Sequence, residues 1–292
     1  MSCTDDLLAL FGNSVKQGGA RLRDHAAYAN EHHDAERLTA TRPTVVALVS
    51  VNGGVGRSTL TTALSSGLQR LGQSVVALDL DPQNALRQHF GVDHGLPGIG
   101  RSSLLNTPWK RILQSGFAGC QVIPFGETNL QQKQNLQGWL MREPKWLAQH
   151  LSALGLGEEQ IVIVDTPAGD NVYLRQALSV ADIVLVVAQP NAACLGTFGQ
   201  VDALLAPHLA RERPPRCHVV INNLDESSAF SLDMLDAFKL RRAEYPLKVV
   251  RRDPALSEGL TVSTDPLNGA ARAAADDIND ICRWLIARKK RL

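Results

Sequence analysis

From position 44 onward, short β-branched apolar runs alternate with longer stretches in which apolar residues recur every three or four positions. The short runs predict strands at 44–50, 74–80, 120–124, 160–165, 183–188, 217–222 and 247–250. Most are apolar without interruption, as expected of strands covered on both faces. The longer stretches predict helices at 58–71, 84–90, 144–154, 172–178, 197–209, 231–240 and 270–287, the last with Ile278, Ile281, Cys282 and Leu285 on one face. Strand and helix in alternation spell βαβ units. The predicted class is therefore α/β, a mainly parallel sheet of seven or eight strands with helices on both faces, in one domain over 44–292.

Residues 1–43 break the pattern and read as a polar tail. Inside it Thr4-Asp5-Asp6 precedes Leu7, Leu8, Leu10 and Phe11, an N-cap followed by apolar positions at helical spacing. This predicts a short amphipathic helix over about 4–12, too short to be stable alone. It serves either as a docking peptide or as a helix lying on its own domain. His25, His32 and His33 lack Cys or carboxylate companions at fixed spacing and read as solvated. Composition narrows the picture further. A chain of 292 residues that is 44% hydrophobic and 20% charged has the material for a real core. Thirty Lys and Arg against 29 Asp and Glu leave no global field to attract nucleic acid or an anionic membrane. Five scattered cysteines lack the close pairs of zinc or redox sites and read as reduced thiols. Without a long apolar run, and with Asp5 and Asp6 where a signal peptide carries positive charge, the expected place is the cytoplasm.

Candidate chemistry begins where the first predicted strand runs into Val51-Asn52-Gly53-Gly54-Val55-Gly56-Arg57-Ser58-Thr59. A glycine-rich turn opening a helix presents several backbone N–H groups and a positive helix end to a phosphate. The Ser58 hydroxyl stands where phosphate loops place a Mg²⁺ ligand. Two positions depart from G-x-x-x-x-G-K-[ST]: Val51 replaces the first glycine and Arg57 the lysine. An ordinary glycine turn would share this pattern, so the acidic strand ends decide. The second strand ends in Asp79-Leu80-Asp81-Pro82-Gln83, and the 160–165 strand ends in Asp165-Thr166-Pro167-Ala168-Gly169. Carboxylates at the carboxyl edge of an open α/β sheet, facing a phosphate loop, suit a hydrated Mg²⁺. Asn222, ending the 217–222 strand, offers an amide able to pair with a purine edge. Asp182, at a strand start, reads as a cap.

Together these segments resemble the ParA/MinD group of deviant Walker P-loop ATPases, with its K-G-G-x-G-K-[ST], D-x-D-P-Q and D-x-P-x-G segments. The resemblance runs from about Thr44 to the C-terminus and implies a P-loop NTPase fold of the SIMIBI type. It implies that Ser58 and Asp165 serve Mg²⁺, that Asp79 supports the metal shell, and that Asp81 positions the attacking water. It further implies that residues 52–59 hold ATP or ADP, that Asn222 reads adenine, and that a nucleotide-sandwich homodimer forms. In that dimer the first signature lysine reaches the partner's nucleotide; here Asn52 stands in its place and Arg57 in that of the second. One branch of the group lacks both lysines, the accessory ATPase-like BcsQ proteins of bacterial cellulose synthase operons. The chain is similar to it at Asn84-Ala85-Leu86-Arg87-Gln88-His89-Phe90-Gly91-Val92-Asp93, at Ile123-Pro124-Phe125-Gly126 and at Ile221-Asn222.

The missing lysines carry a physical expectation. Phosphoryl transfer is catalysed mostly by positioning and electrostatics, and losing one transition-state donor typically costs roughly 10² to 10³ in rate. Asn52 is neutral, while Arg57 keeps a charge on a fork wider than an ammonium. Bound ATP with Mg²⁺ and slow or absent hydrolysis is the expectation. This suits an accessory protein docked on the cytoplasmic side of a cellulose synthase complex, its partner a synthase subunit or a small accessory protein and its docking element residues 4–12. The alternative is a ParA/MinD-like ATPase cycling on DNA or membrane. Arg241-Arg242 and Arg251-Arg252 are the basic pairs a DNA contact would use, and Arg283, Arg288, Lys289, Lys290 and Arg291 beside Trp284, Leu285 and Ile286 the peripheral membrane one. The terminal cluster reads more simply as solvated, with Ile281 and Leu285 in the core, and the arginine pairs lack the aromatic interleaving or added helix-turn-helix domain that DNA binding would bring. Trp109, Trp139 and Trp146, in a stretch that reads as poor in helix, are expected to pack in the core or against a partner rather than form a carbohydrate platform.

Overall fold

The structure is a computed structural model that describes residues 42–241, 245–261, 263–269 and 272–289. The polar tail up to position 41, with its helix predicted over 4–12 and its three histidines, lies outside the described residues, as do Arg242, Lys290 and Arg291. Each core strand is a run that cannot tolerate water on either face. β1 (Thr44–Val49) is buried at all six positions, and β5 (Gln160–Asp165) and β6 (Ile183–Ala188) are buried nearly throughout. Full burial of one Val, Leu or Ile is worth about 1.5–3 kcal/mol, so these strands hold the centre of the sheet.

The chain order is β1, α1 (Arg57–Arg70), β2 (Ser74–Asp79), α2 (Ala85–His89), α3 (Ile99–Leu104), β3 (Gln114–Ser115), β4 (Gln121–Ile123), α4 (Leu130–Leu140), α5 (Trp146–Leu154) and β5. It continues through α6 (Val172–Val180), β6, α7 (Ala192–Thr197), α8 (Gly199–Leu209), β7 (Arg216–Leu224), α9 (Ala229–Arg241), β8 (Leu247–Arg251), α10 (Pro254–Thr261), α11 (Pro266–Gly269) and α12 (Arg272–Lys289). One eight-stranded sheet has the order β3-β4-β2-β5-β1-β6-β7-β8, parallel except for β3. The chain lays β2, β4 and β5 on one side of β1 and then crosses to β6 on the other. The crevice at that reversal, outside the carboxyl ends of β1, β5 and β6, is where open α/β sheets bind ligands.

The seven predicted strands all form, within a residue or two of their expected ends. The eighth, β3, is two polar residues with no apolar run to announce it. The stretch between β2 and β5 is not poor in helix, because α3 and α4 lie there. α4 escaped the apolar pattern because only Leu136 and Leu140 are buried along it. Its start is set instead by a capping box: Asn129 Oδ1 accepts from Gln132 N at 2.8 Å, and Gln132 Oε1 accepts from Asn129 N at 3.0 Å. The helix expected over 197–209 forms as α8, and a short helix not expected, α7, precedes it, the two meeting at the buried Phe198.

Trp109 and Trp146 are buried and meet edge to face at 5.3 Å, with His150 stacked on Trp109 at 4.4 Å, so both rings are core packing. Asp182 acts as a cap, accepting from Val45 N at 2.9 Å and pairing with Arg42. The apolar stripe of α12 is spent on the domain itself: Ile278, Ile281, Cys282 and Leu285 are buried. The four cysteines among the described residues are free thiols in the interior. No described helix is long and apolar enough to cross a membrane.

Candidate functional site

The glycine-rich turn leaves β1 at Ser50 and enters α1 at Arg57, and the structure fixes it from four sides. Gly54 and Gly56 sit at φ 72° and 93°, left-handed backbone that other residues rarely adopt. From below, Ser50 Oγ donates to the Asn52 carbonyl at 2.6 Å. On the β5 side Gly169 N donates to the Ser50 carbonyl at 3.0 Å, and Thr166 Oγ1 donates to the Leu48 carbonyl at 2.7 Å. From β7, Asn222 Nδ2 donates to the Val55 carbonyl at 2.9 Å. After β6, Gln189 Nε2 donates to the Gly54 carbonyl at 3.2 Å. Gly53 and Gly54 remain exposed at the crest, where backbone N–H groups can meet an anion.

The two signature positions behave differently from lysines aimed at a phosphate. Arg57 is folded under the loop and buried, its guanidinium hydrogen-bonded to Ser50 Oγ and to the Asn52 carbonyl. The loop thus admits the wide fork, but turns it inward. Burial pulls the Arg57 pKa down, opposed by the Asp165 and Asp81 carboxylates nearby. Asn52 Oδ1 accepts from Thr197 Oγ1 of α7 at 2.7 Å, tying this side chain to its own subunit.

Carboxylates gather beside the loop as β2 and β5 run side by side, with Asp79 opposite Asp165 in the register. Asp79 is fully buried and spends both oxygens on its own turn, accepting from Asp81 N at 2.9 Å and Leu86 N at 3.0 Å. Asp165 is equally buried, and neither oxygen has a hydrogen-bond partner. Burial raises the Asp165 pKa to about 7, against the lowering influence of Ser58 and Arg57. Asp79 is raised well above its ordinary range by burial and then by Asp165. A buried carboxylate with unfilled lone pairs next to a helix-opening serine fits a cation shell. Ser58, half-buried, and Asp165 are the side chains that would hold Mg²⁺, while Asp79 shapes the turn carrying Asp81. Asp81 Oδ1 accepts from Gln83 N at 2.9 Å.

Residues 52–59, Asp79, Asp81, Asp165 and Asn222 therefore lie at the carboxyl ends of β1, β2, β5 and β7, on one sheet edge. Asn222 does so with one amide hydrogen already committed to Val55, leaving its carbonyl oxygen for a ligand. Sequence reasoning missed Gln189 and Thr197, which hold the loop from the β6 side; the only signal for them is the polar Gln189-Pro190-Asn191 ending an apolar strand. Of the two arginine pairs a DNA contact would use, Arg242 lies outside the described residues, and Arg251 and Arg252 are engaged with carboxylates. Arg251 pairs with Asp277 at 2.7 Å and Arg252 with Asp225 at 3.5 Å.

The family model described as Cellulose biosynthesis protein BcsQ matches residues 44–286. The chain belongs to the BcsQ family. The Cellulose biosynthesis protein BcsQ of Salmonella typhi is 30% identical over 249 residues, covering 83% of this chain and 94% of that one. Among solved structures, MinD of Pyrococcus horikoshii complexed with Mg-ADP superposes with a TM-score of 0.66 at 20% identity, covering 85% of this chain and 98% of that one. Cobyrinic acid a,c-diamide synthase of Mycobacterium smegmatis, with a bound ATP analogue and magnesium, gives 0.67 at 21%, covering 85% and 96%. These two establish the ParA/MinD-type fold of this BcsQ family member.

Proposed function

We propose that this protein is an ATP-binding accessory and regulatory protein of bacterial cellulose biosynthesis. It binds ATP with Mg²⁺, closes into a sandwich homodimer, and docks on the cytoplasmic face of the cellulose synthase complex with slow or no hydrolysis. The observation that carries slow turnover is the disposition of Asn52 and Arg57. One is neutral and held by Thr197 of its own chain, and the other points beneath the loop toward Ser50. Neither presents a cation to a transferring phosphoryl group. Loop amides, the α1 end and Ser58 with Asp165 still provide ground-state binding. When bound, Mg²⁺ would neutralise phosphate charge; Asp165 and Ser58 hold its shell and Asp81 is placed to orient a water. Asn222 contributes its carbonyl oxygen to the adenine amino group.

Membership of the BcsQ family supports the cellulose role, and the MinD-type fold supports the dimer. The firm ion pair of Arg251 with Asp277 disfavours the alternative of an ATPase cycling on DNA. The test is to restore charge: Asn52→Lys loses the hydrogen bond to Thr197 but gains a cation that can cross a dimer. Phosphate release is expected to rise by roughly 10²-fold, the weight of one transition-state donor. Brisk release by the wild type, or no change in the variant, would overturn the reading.

A further inference from the structure

Beyond Asp81 the segments after β2 and β4 border an open cleft of about 550 Å³, within the size range of small-molecule sites. Its walls come from the segment after β2 and the segment after β4, tied together where Gly126 N donates to Asn84 Oδ1 at 2.9 Å. Both ties are conformationally demanding: Asn84 has φ 58° and Gly126 φ 79°, and a Cβ on Gly126 would lie 2.4 Å from Gly98 N. The wall is thus held in one shape before anything binds, which lowers the ordering cost of a ligand.

The lining is polar and cationic. Arg87, His94 and Lys133 face it with the side-chain amides of Gln83, Gln88 and Asn129, against the single carboxylate Glu127. Arg87 is the anchor, its side chain only 9% exposed. Its guanidinium contacts His94 Nδ1 and donates to Glu127 Oε1 at 3.1 Å. Glu127, however, is 80% exposed. A buried cation calls for a firm anionic partner, and a carboxylate standing in water is a weakly held one. Thr128 of the same lining keeps a buried hydroxyl with no hydrogen-bond partner. Arg87 plus Lys133 less Glu127 leaves one net positive charge without His94. No Phe, Tyr or Trp lines the cleft, so nothing there stacks a base.

We propose that this cleft binds a small phosphate-bearing, hydroxyl-rich metabolite of the sugar-phosphate class. The phosphate takes the seat of Glu127 on the planar fork of Arg87, a bidentate match. Lys133 adds a second charge, and the amides of Gln83, Gln88 and Asn129 meet hydroxyl groups. The inference stands independently of the cellulose role and of ATP hydrolysis.

The test is calorimetric titration of the full chain, held in saturating Mg-ATP so that the phosphate loop is filled, with glucose 1-phosphate, inorganic phosphate and glucose as separate probes. Glucose 1-phosphate is expected to bind more tightly than phosphate, and glucose not at all. Lys133→Gln should weaken it about tenfold or more, the worth of one charge-assisted hydrogen bond. Glu127→Gln should tighten it several-fold by removing the internal competitor, and Arg87→Lys should abolish it. Lys133 and Glu127 are not core residues, so their variants keep the test valid if the Arg87 variant fails to fold. Absence of binding by the wild type, or affinity unmoved by Lys133→Gln and Glu127→Gln, overturns the site. Phosphate binding as tightly as glucose 1-phosphate overturns the recognition of hydroxyls. Loss of the signal in Ser58→Ala would place the probe in the phosphate loop and overturn the proposal as well.

Discussion

Replacing Asp165 by Asn should stabilise the nucleotide-free protein while removing its response to Mg-ATP. In the fold this carboxylate is fully buried, without hydrogen-bond partners, opposite the equally buried Asp79. Its pKa rises from an ordinary 3.8 to about 7, a penalty of at most about 4 kcal/mol at 1.36 kcal/mol per pH unit. A raised carboxylate binds more protons folded than unfolded. The penalty is therefore absent in acid, grows as pH climbs from 3.8 toward 7, and is constant above. Asn removes it but leaves an amide to satisfy, at a cost of about 1–3 kcal/mol. The net gain at pH 8 is about 1–3 kcal/mol, a rise in Tm of roughly 2 to 10 °C for a domain this size. By the same linkage the penalty being relieved is about half as large at pH 5.5. Differential scanning fluorimetry at both pH values, with and without Mg-ATP, measures this. An Asn variant that melts below the wild type at both pH values, or whose gain does not grow with pH, would refute the reasoning. So would a variant still stabilised by Mg-ATP as strongly as the wild type.

Gly56→Ala should cost about 1–3 kcal/mol in stability and abolish ATP binding, because φ is 93° and its Cβ would meet Asn222 Nδ2 at 2.3 Å. Gly53→Ala, with nothing within 4 Å, should leave the melting temperature nearly unchanged in the same assay. Burial lowers the His218 pKa to about 4, with Arg288 next in effect. Its stabilising influence is complete above the unfolded value near 6.5 and is lost as pH falls toward 4, by at most about 3 kcal/mol. His218→Phe keeps a ring against Trp284 and should flatten the pH dependence of urea midpoints in that window; an unchanged slope would count against it.

Strands that must be dry on both faces announced themselves as uninterrupted apolar runs, which is why β1, β5 and β6 were legible with their acidic or polar ends. The phosphate loop was legible because its glycines serve the backbone rather than packing. What stayed hidden depends on pairings between distant positions. Nothing near Thr197 in the chain says that it will bond Asn52, since the link exists only once β1 and β6 lie side by side. The inward turn of Arg57 needed the position of Ser50 Oγ. α4 was missed because its surface is glutamine rather than an apolar stripe, though the Asn129 and Gln132 spacing was readable as a capping box. The Arg87 cleft was hidden in a stretch that read as a family signature, with Lys133 brought to it from the far side of β4.

The central claim is a nucleotide-locked assembly that does not turn over. It is tested most directly by following the mass of the purified protein by light scattering with Mg-ATP while measuring phosphate release in the same tube, for the wild type and Ser58→Ala. The account predicts a doubling of mass that persists with negligible phosphate release and is absent in the variant. A wild type that releases phosphate briskly and falls back to monomer, or that ignores Mg-ATP altogether, would contradict it.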